Sequence, residues 1–275
     1  MGETELKKTE HHLLCILLWA YRKHPDYPLI LAANRDEFFN RPTASMARWD
    51  DFPHILAGRD LQGGGTWMGV NDRGRFAALT NVRDISRIKQ EAKSRGLLVS
   101  GFLQNQDAPK DYLTTVQKKA DQYNPFNLVA GDLGGLYCLT GVDNKVRKLD
   151  VGVFGLSNWG LDTPWPKVKK GKNALASIVE NALEKGVLDR EALFSMLADS
   201  ETAPDDKLPD TGVGLDWERV LSSIFVKSPG YGTRCSTVLT VSFSGRVEVE
   251  ERTYGPEGVN VACSVARHQF ELADR

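Results

Sequence analysis

Residues 14–38 read LCILLWAYRKHPDYPLILAANRDEF, two apolar runs separated by a polar turn. Leu14–Tyr21 and Tyr27–Ala33 are rich in Leu, Ile and aromatic residues, which predicts two strands joined by a turn at His24-Pro-Asp26. Neither run alternates with polar residues. A strand that is apolar on both faces must be covered on both, so layers are expected above and below it.

The strand series continues outward at His54–Ala57, Thr66–Val70 and Phe76–Val82, divided by Gly63-Gly-Gly65 and by an Asn71-Asp-Arg-Gly74 turn. No Lys-Ser/Thr follows the glycines, so they read as turn geometry and not as a phosphate cradle. Helices are expected at Ser94–Gln104 and Lys110–Lys119, then strands near Asn127–Ala130, Gly135–Thr140 and Val146–Asp150. From about Pro164 to Glu184, Leu175, Ile178, Val179, Ala182 and Leu183 recur at helical spacing and predict one buried stripe. Asp189 caps a further helix, and Pro204–Gly214 reads as a surface loop. Strands return at Ser236–Phe243 and Val247–Tyr254, with a last one near His268–Leu272. Sheets that need helices outside and each other inside give an α+β fold, a four-layer αββα sandwich. With neither repeat nor linker, 14–275 is expected to form one domain behind a polar tail, 1–13.

The net charge of −1 provides no electrostatic pull toward nucleic acid or anionic membrane. The basic cluster Lys167-Val-Lys-Lys-Gly-Lys172 reads as a solvated helix start. The longest apolar run, Leu13–Tyr21, is too short to span a bilayer, and Arg22-Lys-His24 follows it where a signal peptide would have a cleavage site. The cysteines, Cys15, Cys138, Cys235 and Cys263, show no paired or zinc-type spacing. A reducing compartment is expected, so the location expected is cytoplasmic. No histidine pair has helical metal spacing, and no metal is expected.

Several expected strands end on polar side chains. Asn34-Arg-Asp-Glu37 closes one, Asn81 a second and Asn158 a third, and Arg234 leads into a fourth. Amide and guanidinium groups of this kind stabilise oxyanions or hold carboxylates.

Together with Cys15-Ile-Leu-Leu18, the Asn34-Arg-Asp-Glu37 tetrapeptide resembles the NRDE family, the transport and Golgi organisation 2 homologue family. Ala57-Gly-Arg-Asp-Leu-Gln-Gly-Gly-Gly-Thr-Trp67, Leu79-Thr-Asn81, Gly155-Leu-Ser-Asn158, Asp162-Thr-Pro-Trp165 and Arg234-x-Ser-Thr237 look like its other blocks. The resemblance runs from Leu14 nearly to the C-terminus. It implies a fold similar to N-terminal-nucleophile hydrolases, in particular the branch with penicillin V acylase and bile-salt hydrolase. By position, Cys15 then matches the nucleophile and Asp36 the carboxylate that orients its amino group. Arg35 or Asn34 matches the arginine beside the nucleophile; that branch has arginine before asparagine, the reverse of the order here. Asn81 matches the oxyanion-hole side chain, Asn158 and Arg234 the supporting pair, and Asn34 and Trp67 are candidate substrate-binding residues.

A free α-amino group has a pKa of roughly 7.7–8.0, near the thiol's value of about 8.5, so an N-terminal cysteine carries its own base. Inside a peptide bond the same nitrogen has no basicity. The resemblance therefore implies that Cys15 heads the working protein, either through removal of a propeptide ending at Leu14 or through translation starting at Leu14 and loss of the initiator. The expected activity is hydrolysis of a non-peptide amide. The alternative is a carrier of haem or an acyl-lipid on the same fold, with haem as cargo and no resident cofactor. Cys138, Cys235 and Cys263 are expected to be inert thiols.

Overall fold

The computed structural model describes residues 15–256 and 262–273; the expected polar tail and Leu14 lie outside them. The strands are β1 (Cys15–Tyr21), β2 (Leu29–Phe38), β3 (Thr43–Arg48), β4 (Ile55–Asp60), β5 (Met68–Asn71), β6 (Phe76–Asn81) and β7 (Phe126–Asp132). They continue with β8 (Gly135–Thr140), β9 (Lys145–Leu149), β10 (Gly152–Leu156), β11 (Lys227–Ser228), β12 (Tyr231–Val241), β13 (Arg246–Thr253) and β14 (Ser264–Glu271). The helices are α1 (Gly96–Gln104), α2 (Pro109–Gln117), α3 (Pro166–Lys185), α4 (Arg190–Leu197) and α5 (Leu215–Val220).

One sheet runs β10-β1-β2-β12-β13-β14, with β11 beside β12, and the other is a meander from β3 to β9. Alternation along the strands builds the layers. Leu17, Trp19, Leu29 and Leu31 of the first sheet meet Leu56, Met68, Val70 and Val129 of the second in a shared core. Their neighbours Ile16, Leu18, Ile30 and Ala32 turn outward and pack on Leu175 and Val179 of α3 and Leu193 and Leu197 of α4. On the far side, Ile55, Ala77 and Leu128 pack on Val99 and Phe102 of α1 and Leu113 of α2. The expected αββα sandwich is the observed one.

Two differences matter for the site. The strand expected to stop at Ala33 continues to Phe38, because β12 pairs with it from Tyr231↔Phe38 to Val241↔Leu29. The polar tetrapeptide therefore lies inside a strand and not at its end. The α3 stripe is also narrower than expected: Leu175, Val179 and Ala182 are buried, whereas Leu183 is exposed.

Candidate active site

Cys15 opens β1 and pairs with Arg35 of β2. By the two-residue period it shares the inter-sheet face with Leu17 and Trp19. Here the apolar core gives way to an open cleft of about 730 Å³, whose wall includes Cys15, Arg35, Trp67, Asn81 and Arg95. Cys15 is half-buried at that wall, and the Asp36 N–H lies beside its sulfur, where it favours the thiolate. Burial, and then the negative charge of Asp36, push the thiol up to about 12. With its nitrogen in a peptide bond, Cys15 is thus a protonated thiol at neutral pH.

The tetrapeptide divides by face. Arg35 and Glu37 point toward the cleft side, Asn34 and Asp36 toward the helices. Arg35 stacks on the Trp67 ring, 4.3 Å from its centroid. Its Nη2 lies 3.4 Å from Glu37 Oε2, and Glu37 in turn faces Arg41 Nε at 3.4 Å. Arg41 donates through Nε and Nη2 to Asp60 Oδ2 at 3.0 and 2.8 Å. The result is a chain of alternating charge along one wall. Trp67 can lie flat against β4 because a Cβ at Gly58 would come within 2.2 Å of its ring.

Asp36 is buried on the other face. Thr233 donates to its Oδ1 at 2.6 Å, while Oδ2 has no hydrogen-bond partner among the described residues. Lys167, in the first turn of α3, is also buried, and its Nζ has none either. Burial raises the Asp36 carboxyl, opposed first by Lys167, and lowers the Lys167 ammonium, opposed first by Asp36. Beside them Arg83 and Glu218 form a buried ion pair at 3.0 Å.

Asn81, the last residue of β6, lines the cleft. Asn158 Nδ2 donates to its carbonyl at 2.9 Å, and the Asn158 carbonyl accepts the Arg83 N–H at 2.8 Å. The neighbouring Ser157 hydroxyl donates to the Cys15 carbonyl at 3.2 Å. Asn158 is fully buried and fixes Asn81, while Ser157 holds the start of β1.

Three expected site residues are not brought to the cleft wall: Asn158, described above, and Asn34 and Arg234. Asn34 was expected to bind substrate; instead its Nδ2 donates to the Leu197 and Ile224 carbonyls at 2.8 and 2.9 Å, and its Oδ1 accepts from Ser236 at 2.6 Å. Both ends of the amide are held on the helix side, because position 34 falls on the outward phase of β2. Arg234 was expected among the catalytic groups; its Nη1 instead donates to the Phe38 and Arg41 carbonyls at 2.7 and 3.1 Å. It braces the turn that carries Arg41. The outcome for Asn34 leaves Arg35 as the arginine beside Cys15.

Lys167, Arg41, Asp60 and Arg95 escaped the sequence reading. Lys167 sat in a basic cluster read as solvated, yet it is buried while Lys169 and Lys170 of the same turn are exposed. The usable signal was its place next to Pro166, where a helix begins over the sheet.

A sequence model of the family described as Transport and Golgi organisation 2 matches residues 14–256. The human Transport and Golgi organization protein 2 homolog is 37% identical over 258 residues, covering 87% of this chain and 93% of that one. The bovine homolog is 36% identical over 260 residues, with the same coverage of 87% and 93%. Among solved structures, a conjugated bile acid hydrolase from Clostridium perfringens is similar at a TM-score of 0.47 and 10% identity, over 94% of this chain and 97% of that one.

Proposed function

The chain belongs to the Transport and Golgi organisation 2 family, and from that premise we propose that it hydrolyses a non-peptide amide with the Cys15 thiol as nucleophile. The observation that carries this reading is the pair of unpartnered polar atoms near Cys15. Among the described residues Asp36 Oδ2 and Lys167 Nζ are buried without hydrogen bonds, and the Asp36 N–H lies beside the sulfur. A buried charge without a partner is costly, so such atoms mark a place where another group belongs. A free α-amino group on Cys15 supplies the donor that Asp36 Oδ2 lacks.

In this mechanism the amine of a chain beginning at Cys15 takes the thiol proton, and the thiolate attacks the amide carbonyl. Asn81 donates to the oxyanion. The amine then returns the proton to the departing nitrogen as the C–N bond breaks, leaving an acyl-thioester. Water, deprotonated by the same amine, attacks the thioester and releases the acid and the thiol. Asp36 orients the amine, and Arg35, fixed on Trp67, holds the substrate side of the cleft. Mass spectrometry of the protein from its own host tests the reading. The expected N-terminus is Cys15 in active material; active protein that retains residues before Cys15 overturns self-activation.

One observation favours the carrier reading. At the far end of the sandwich an apolar groove of about 300 Å³ is lined by Tyr21, Leu29, Phe76, Leu133, Leu136 and Phe243. It lies six residues along β1 from Cys15, about 20 Å at the rise of a strand. The expected outcome for a carrier is saturable haem or fatty-acid binding that survives Cys15→Ser; the hydrolase reading expects none.

A further inference from the structure

The cleft wall carries four cations, Arg35, Arg41, Lys93 and Arg95, against the carboxylates of Glu37 and Asp60. Most of this charge is spoken for. Glu37 lies between Arg35 and Arg41, and Asp60 takes two hydrogen bonds from Arg41. Lys93 reaches out to Gln122 Oε1 at 2.6 Å on the exposed rim. Asp36 faces Lys167 on the other side of the sheet. Arg95 stands apart. Among the described residues its guanidinium makes one hydrogen bond, to the Pro125 carbonyl at 3.3 Å, and no ion pair.

Arg95 is half-buried at this wall. Burial pulls it down to about 10, and the two groups that work against this are Cys15 and Glu37, while Arg41 works with it. The guanidinium and the thiol line the same cleft. Its position is fixed by backbone contact: the Thr66 N–H donates to the Gly96 carbonyl at 3.2 Å, and Gly65 lies so close to Gly96 that a Cβ would come within 2.2 Å of the Gly96 carbonyl carbon. A half-buried guanidinium without an ion pair is open to an anion, and its planar fork matches a carboxylate, sulfonate or phosphate.

We propose that the missing counter-charge arrives with the ligand, and that Arg95 anchors an anionic group on the substrate whose amide carbonyl meets Cys15. The substrate class is then an acylated amine with a carboxylate, sulfonate or phosphate on one side of the scissile bond. This assignment rests on the reading of the cleft as the substrate site, but its test does not need turnover.

Iodoacetate and iodoacetamide differ in charge and alkylate the same thiolate by displacing iodide. The ratio of their rates at one cysteine cancels the thiolate fraction and reports the local potential. The ratio is measured at pH 8 in the full chain by peptide mass spectrometry, with exposed Cys263 as the internal reference. The expected ratio at Cys15 is about tenfold that at Cys263. Arg95→Gln brings it to within about twofold of the reference, and Arg95→Lys, a point charge, leaves it between the two. Acetate, methanesulfonate and inorganic phosphate are then used to protect Cys15 from iodoacetamide. The best protector identifies the anionic group, and its protection is lost in Arg95→Gln. Equal ratios at Cys15 and Cys263, a preference that survives Arg95→Gln, or protection by none of the three ions overturns the assignment. Loss of amide hydrolysis with the iodoacetate preference intact counts instead against the hydrolase reading.

Discussion

Lys167 is the cation that opposes burial at Asp36, and the groups facing it are Asp36, Arg83, Cys15 and Glu218. Replacing it with methionine leaves burial opposed only by the Thr233 hydrogen bond and Arg35. The carboxyl then stays neutral to higher pH, since its ionised form has lost its main support. In protein beginning at Cys15, Lys167→Met is expected to move the acid limb of thiol reactivity up by about one pH unit, and Lys167→Arg by less. A pH–rate profile that does not move removes Lys167 from the site. Asn34 gives the opposite kind of prediction. Asn34→Ala strips two buried carbonyls and the Ser236 hydroxyl of their partner, so a loss of about 2–4 kcal/mol is expected in urea unfolding. Asn81 was legible as a polar strand end, and Cys15 and Trp67 were brought to notice by the family resemblance; the structure places all three at the cleft wall. Arg95 and Lys167 were not legible, because a charged residue among charged residues reads as solvated until tertiary packing draws it from water, half-way for Arg95 and fully for Lys167.

At the scale of elements, β2 shows why the tetrapeptide was misread. Polar residues after an apolar run look like a strand leaving the core, and nothing local says that β12 will keep pairing as far as Phe38. Once pairing continues, the period of two sends Arg35 to Trp67 and Asp36 to Thr233. The Gly63–Gly65 turn was legible as a turn, but not as the place where α1 docks. Its glycines are unequal. Gly65 touches the Gly96 backbone, whereas Gly64 has φ +79° and nothing within 4 Å of a Cβ. Gly65→Ala is expected to push the start of α1 away, to lower stability by about 1–3 kcal/mol and to abolish the iodoacetate preference at Cys15. Gly64→Ala costs about 1 kcal/mol through its left-handed backbone and leaves the preference intact. Equal effects of the two on the rate ratio would contradict the docking role of Gly65.

For the whole molecule, the layering followed from strands that are apolar on both faces, and this much was present in residues 14–33 alone. Which helices cover which sheet was not. That α1 and α2 pack on the meander and α3 and α4 on the other sheet depends on crossovers that leave no local trace. The same assembly places the sandwich's two open ends at opposite ends of β1, the charged cleft at Cys15 and the apolar groove at Tyr21. The central claim concerns the first of these ends, that the thiol there becomes a nucleophile when its own nitrogen is free. Its most direct measurement is the rate of Cys15 alkylation by iodoacetamide at pH 7, compared between protein beginning at Cys15 and protein that keeps residues 1–14. Lowering the thiol from about 12 toward about 8.5 multiplies the thiolate population far more than it weakens each thiolate, so the freed form is predicted to react about a hundredfold faster. Equal rates in the two forms would contradict the account.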